Sequence, residues 1–158
     1  ITHVTYALSA TPQLQLDYGN IRAALSGRSD VTVADVRRAI IDIRNAKLPD
    51  PSVMGNAGSF FMNPIVDSST FEAIRGVYPD MPFYVVGDRY KIPAGWMIEK
   101  CGWKGKALGR AGVHDKQALV LVNLGGATSE EIMRLCETVR KDVKKTFGVD
   151  IHPEVNII

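Results

Sequence analysis

The sequence predicts an α+β fold with mixed or antiparallel strands and about four helices, and three observations lead there. Strand-like and helix-like stretches follow one another without the regular β-α-β rhythm of a parallel sheet. No segment repeats another at a fixed period. Two stretches, within 33–46 and 128–148, carry helical spacing of apolar residues between recognisable start and stop signals.

Taken in order, "ITHVTYALS" (1–9) alternates apolar and polar residues, the pattern of a half-buried strand. A chain that opens in mid-strand at Ile1 reads as a piece of something longer. "TPQLQLDYGN" adds a second alternating run and a turn at Tyr18-Gly19-Asn20. Helix follows over 33–46. Thr32 and Asp35 form a capping-box variant, and Val33, Val36, Ile40 and Ile43 are expected to mark its buried face. Pro49 and Pro51 stop it.

Ser69 and Glu72 have capping-box spacing, with Phe71, Ile74 and Val77 expected inside the helix they start. Residues 78–92, punctuated by Pro79, Pro82 and Gly87, look like loop. Pro93 opens a short helix that Gly102 closes. "KALGRAGVHDKQALVLVN" (106–123) suggests two strands around a polar turn at 114–117. Thr128 and Glu131 cap a long helix lined by Ile132, Leu135, Val139 and Val143. Lys144 and Lys145 complement its C-terminal dipole, and Gly148 ends it. "VDIHPEVNII" (149–158) closes as a strand interrupted by Pro153.

Length and charge bound the function. The 158 residues suffice for one domain with a sizeable core or for two small lobes, burying about 68–70% of the surface of the unfolded chain. A net charge of +2 is too small to imply nucleic-acid binding. Cys101 and Cys136 lack CxxC spacing, as expected of reduced, packed thiols. No run approaches the ~18–20 apolar residues of a membrane helix, and no signal peptide is apparent.

Few motifs carry chemistry on spacing alone. "GNAGSFFMNP" (55–64) contains a GxxG, but no cation lies in its turn, so a glycine-dependent turn is favoured over a KH-type clamp. Ser59 sits outside any Gly-x-Ser-x-Gly elbow. His114 and His152 have no triad-like spacing, and no His, Cys or carboxylate set has metal-ligand spacing. Gly125-Gly126 before a capped helix is first a strand-to-helix turn, although such a place can hold phosphate. Lys100, Lys104, Lys106 and Arg110 around Trp103 form either a diphosphate site or a solvated basic turn.

Four strings in order, "KLPDPSVMGNAGSFFMNPIV" (47–66), "IPAGWMIEKCGWKG" (92–105), "AGVHDKQALVLVN" (111–123) and "HPEVNII" (152–158), resemble the UDP-N-acetylenolpyruvoylglucosamine reductase family. The likeness is to its C-terminal, substrate-binding part. It implies a chain 1–158 in which residues 1–30 lead in from a missing N-terminal FAD-binding domain. The family's enzymes use NADPH, through FAD and with no metal, to reduce UDP-N-acetylglucosamine enolpyruvate to UDP-N-acetylmuramate. They do so in the bacterial cytoplasm, for peptidoglycan, with no nucleic-acid or membrane partner.

The resemblance also assigns residues. Ser59 matches the serine that delivers a proton to the substrate carbon, and Glu154 the acid that works with an arginine on the developing enolate. Lys47, Asn63, Lys104 and Gln117 match substrate contacts, and Tyr18 and Tyr84 the tyrosines along the nucleotide. Met62 stands where a lysine is often found. Glu154 can serve as an acid only if it carries a proton, which burial or neighbouring anions would favour. Without its flavin domain the piece is expected to be folded, colourless and inactive. Two alternatives stay open: a non-catalytic nucleotide-sugar binding module, and, last, an RNA-binding domain.

Overall fold

A computed structural model describes residues 1–157 and divides the chain into two compact units, 1–47 and 48–158, of which Ile158 lies outside the described residues. Each unit has its own apolar cluster.

In the first unit, α1 (Ile21–Ala24) packs with α2 (Val33–Lys47). The expected capping box at Thr32 is present: the Thr32 amide donates to Asp35 Oδ2 at 3.0 Å, and the Asp35 amide donates to Thr32 Oγ1 at 3.2 Å. The buried face differs from the expected one. Ile21, Leu25 and Ala39 form the cluster with Val36 and Ile43 against it, whereas Val33 is 54% exposed. Ala39 is small enough to let another helix approach closely, an advantage that ranking residues by hydrophobicity hides. Residues 1–9 are not a strand: they are exposed, and no described strand pairs with them. Alternation defines two faces, but strand structure needs a partner's hydrogen bonds as well.

The second unit holds two antiparallel sheets. The larger has the order β1 (Asn56–Ser59), β7 (Val120–Asn123), β6 (Ala111–Val113), β5 (Ala107–Leu108). The smaller has the order β2 (Ile65–Val66), β4 (Arg89–Lys91), β3 (Tyr84–Val86). Both hairpins missed in the sequence, β3–β4 and β5–β6, turn through two residues that begin with a glycine: Gly87 at φ +61° and Gly109 at φ +67°. Positive φ at the first loop position suits the twist of paired strands. Strands this short offer too little alternation to show beside the punctuating residues.

Three helices complete the unit: α3 (Ser68–Val77), α4 (Ala94–Lys100) and α5 (Ser129–Phe147). The cap of α3 is Asp67 rather than Ser69. Its carboxylate accepts from the Thr70 amide at 2.8 Å, and the Ser69 hydroxyl donates to the same oxygen. A charged acceptor two residues earlier starts the helix sooner, so Ser69 falls inside its first turn instead of capping it. Phe71 and Ile74 are buried as expected, while Val77 is exposed. Helix α5 matches its expected form: Thr128 and Glu131 close a reciprocal capping box, Leu135, Val139 and Val143 are fully buried, and Gly148 takes φ +70° at the end. Packed against β6, β7 and α4, it supplies one wall of the core.

Among the described residues the closing segment, 149–157, is not a strand and makes one isolated antiparallel bridge, Phe61 to Pro153. That bridge matters for the site.

Candidate functional site

Ser59 owes its position to a bulge. Asn56 pairs with Val122 and Ser59 with Val120, and the register shifts between them. Asn56 organises the shift: its Oδ1 accepts from the Gly58 amide at 3.0 Å and its Nδ2 donates to the Met54 carbonyl at 2.9 Å. Gly58 adopts φ +73°, and a Cβ placed there would meet nothing within 4 Å. Glycine is therefore required by torsion, and open space lies beside the backbone that presents Ser59. The GxxG belongs to this bulged strand end, as a glycine-dependent turn would. Ser59 itself is exposed, while the next two residues, Phe60 and Phe61, are buried and meet edge-on with centroids 5.3 Å apart. Anchored rings beside a free serine fix where the hydroxyl emerges.

The tail returns to this strand end. Met62 donates its amide to the His152 carbonyl and Glu154 donates its amide to the Phe60 carbonyl, both at 2.9 Å, on either side of the Phe61–Pro153 bridge. Glu154 is thus held next to the residue that follows Ser59, although 95 positions separate the two in sequence. Both side chains are exposed.

Asn63 and Gln117 both lie at the start of α4. Pro93 precedes that helix and has no side-chain acceptor, so the Ala94 amide is capped from elsewhere, by Asn63 Oδ1 at 2.9 Å. Gln117 Oε1 accepts from the Leu119 amide at 3.4 Å and lies 3.4 Å from where a Cβ on Gly95 would sit. Leu119 in turn gives its carbonyl to the Phe60 amide at 2.8 Å, which ties this corner to the Ser59 strand. Four of the eight residues singled out from the sequence, Ser59, Glu154, Asn63 and Gln117, therefore share one hydrogen-bonded corner.

Of the other four, Lys104 and Tyr84 lie elsewhere in the second unit, and Tyr18 and Lys47 belong to the first. Lys104 is ion-paired with Glu99 at 3.0 Å, with both side chains substantially in solvent; such a pair is worth about 0–1 kcal/mol and yields readily to an anionic ligand. Tyr84 is exposed on the edge strand β3, in register with Lys91, which also pairs with Ile65 two residues beyond Asn63. Pairing across two ladders puts Ile65, Lys91 and Tyr84 on one sheet face. Tyr18, in its turn, and Lys47, the last residue of α2, are exposed residues of the first unit.

The family model for the C-terminal domain of UDP-N-acetylenolpyruvoylglucosamine reductase matches residues 50–158. The chain belongs to this family. A protein of Bacteroides fragilis named UDP-N-acetylenolpyruvoylglucosamine reductase is 60% identical over the whole chain, which covers 48% of that protein. Reductases of the same name from Flavobacterium johnsoniae and Pseudomonas aeruginosa are 49% and 48% identical over 100% and 99% of the chain, covering 48% and 47% of their lengths. The chain thus spans about half the length of the curated relatives it matches.

Other polar residues of this reductase C-terminal domain have settled partners. Arg110, counted among the basic residues near Trp103, pairs with Glu131 of the capping box at 3.0 Å. His114 is buried and accepts from the Lys116 amide through Nδ1. Cys101 and Cys136 are free thiols. Among the described residues no three His, Cys, Asp or Glu side chains gather as a metal site, and no helix is long and apolar enough to cross a membrane.

Sequence reasoning missed Asn56 and Arg140. An Asn-x-Gly string is a recognisable local turn signal. Arg140 showed only a local i,i+3 pairing with Glu137, because the two partners that tie it to the tail come from beyond the end of its own helix.

Proposed function

We propose that this chain is the substrate-binding and proton-delivering portion of a reductase acting on UDP-N-acetylglucosamine enolpyruvate, with residues 1–30 leading in from an FAD-binding domain. The observation that carries the reading is the return of the tail, which seats Glu154 beside the strand end that exposes Ser59. The open space at Gly58 leaves room for a flat cofactor and a substrate carbon to come close to that strand.

When bound, FAD reduced by NADPH would supply hydride to the terminal carbon of the enolpyruvyl group. The chain's own task is then to manage the charge that appears on the carbon beside the carboxylate. Ser59 delivers a proton to that carbon, a role in which a weakly acidic hydroxyl suffices because an enolate carbon is far more basic than a carboxylate. Glu154 in its protonated form donates a hydrogen bond to the enolate oxygens, a contribution of roughly 3–4 kcal/mol when well placed. Its side chain is exposed in this structure, so a substrate covering the corner can reach it. Asn63 and Gln117 hold the corner's shape, and Asn63 keeps its amide hydrogens for substrate. Lys104 exchanges Glu99 for an anionic group of the sugar nucleotide, with Tyr84 as a further contact. These steps suit a bacterial cytoplasmic enzyme of peptidoglycan synthesis.

The test is to assay NADPH oxidation, with the enolpyruvyl sugar nucleotide, for the chain alone and joined to the upstream half of a relative. Activity only in the joined protein, with a colourless isolated chain, is the expected result. Binding of UDP-N-acetylglucosamine without turnover in the joined protein would instead mark a nucleotide-sugar binding module.

A further inference from the structure

We propose that Arg140 is a positioning residue for Glu154, an inference that rests on the acid role given to Glu154 above. Arg140 projects from α5, ten and eleven residues before the tail residues Asp150 and Ile151 that it bonds. Its Nε donates to the Ile151 carbonyl at 2.7 Å, its Nη2 to Asp150 Oδ1 at 3.0 Å, and its Nη1 to Glu137 Oε1 at 2.7 Å. All three directions of the guanidinium fork are used, and the side chain is only 22% exposed.

The tail has other restraints: Lys144 pairs with Asp150 at 3.4 Å and Val155 packs against the core. After Gly148 ends the helix, Val149 and Ile151 insert their side chains into the core, which fixes the depth of the segment. Depth alone leaves the segment free to slide along its length. The Arg140 bond to the Ile151 carbonyl sets that coordinate, one residue before His152, whose own carbonyl begins the pairing with Met62. The two backbone hydrogen bonds that make up the Phe61–Pro153 bridge then carry the register to Glu154. A one-residue slip would turn each following side chain to the opposite side. The glutamate would then leave the serine's strand end. Lysine can replace the fork only in part, since a single ammonium group does not span a carbonyl and two carboxylates in one plane.

The experiment uses the full-length reductase with R140Q, E154Q and the double variant, following the NADPH-dependent and substrate-dependent half-reactions separately. Hydrogen exchange is measured in peptides covering 60–63 and 150–157. R140Q should slow the substrate-dependent half-reaction by tenfold or more and leave the NADPH-dependent one unchanged. In the E154Q background it should cost less than twofold, because the group it positions is already gone. Exchange should rise in both peptides and stay low through α5. R140K should show the same pattern in weaker form, and it replaces R140Q if that variant does not fold. Equal losses in the parent and E154Q backgrounds, or increased exchange throughout α5, would reduce Arg140 to a structural role and overturn the proposal. If E154Q alone kept the parent rate, the acid reading of Glu154 would fail, and the exchange data would then describe a clamp without catalytic consequence.

Discussion

Replacing Ser59 by alanine separates chemistry from folding at this site. The residue is exposed at the end of β1, and its hydroxyl makes no hydrogen bond among the described residues. Its removal exposes no cavity and strands no partner, so stability should change by no more than about 0.5 kcal/mol. If the hydroxyl delivers the proton, the substrate-dependent half-reaction loses a positioned general acid, a loss of about 10²–10⁴-fold. At 1.36 kcal/mol per decade, that raises the barrier by roughly 3–5 kcal/mol. The assay is single-turnover reoxidation of the prereduced full-length protein by the enolpyruvyl sugar nucleotide, beside a thermal melt. Substrate affinity should stay within a fewfold, because the hydroxyl acts in the transition state. Ser59→Cys, which keeps a proton donor, should recover part of the rate. An alanine variant with the parent rate, or one whose loss of rate tracked a loss of Tm, would refute the reasoning.

Three further outcomes are expected. Asn63→Ala leaves the amide of fully buried Ala94 without an acceptor and should cost about 1–3 kcal/mol in denaturant unfolding, whereas Asn63→Asp, which keeps an acceptor, should cost much less; equal costs would show that the cap is not what Asn63 provides. Acid should destabilise the fold. The Thr70 amide lowers the carboxyl of Asp67, and the Thr128 amide with Arg110 lowers that of Glu131. Burial pushes Asp150 up, but the hydrogen bond and charge of Arg140, with Lys144, more than offset it and leave Asp150 low. Groups whose folded values lie below the ordinary 3.8 and 4.5 stabilise fully above those values and lose the contribution as pH falls through the folded ones. Urea midpoints should therefore decline below about pH 4.5, with a shallower decline in Asp150→Asn; an unchanged midpoint down to pH 3 would contradict this. Burial pushes the Cys136 thiol up to about 11, so at pH 8 a thiol reagent should label it only after denaturation. Rapid labelling of Cys136 in the folded protein would show that α5 opens far more readily than its packing implies.

Capping chemistry makes two helices legible from residue order alone. The Thr32–Asp35 and Thr128–Glu131 pairs act within four residues, and Gly148 needs only its own torsion, so each signal is complete locally. The strands are less legible. Tyr84–Val86 and Ala107–Leu108 are too short to display a period, and their glycine-led two-residue turns look like any other loop punctuation. The opposite failure occurs at 1–9, where a clean alternation lacks a described partner strand.

By itself the sequence determined the α+β class, the two capped helices and the motif strings that place the chain in its family, because each of these depends on neighbours along the chain. Tertiary structure alone decided that Asn63 caps a helix begun by Pro93, that Ala39 rather than Val33 faces inward, and that Arg140 holds the tail. It also decided the pairing on which the functional reading rests. Ser59 and Glu154 stand 95 residues apart, and no local rule couples them. Glu154 comes to bond the residue after Ser59 because Val149 and Ile151 bury their side chains in the core and the backbone then pairs with the segment after β1.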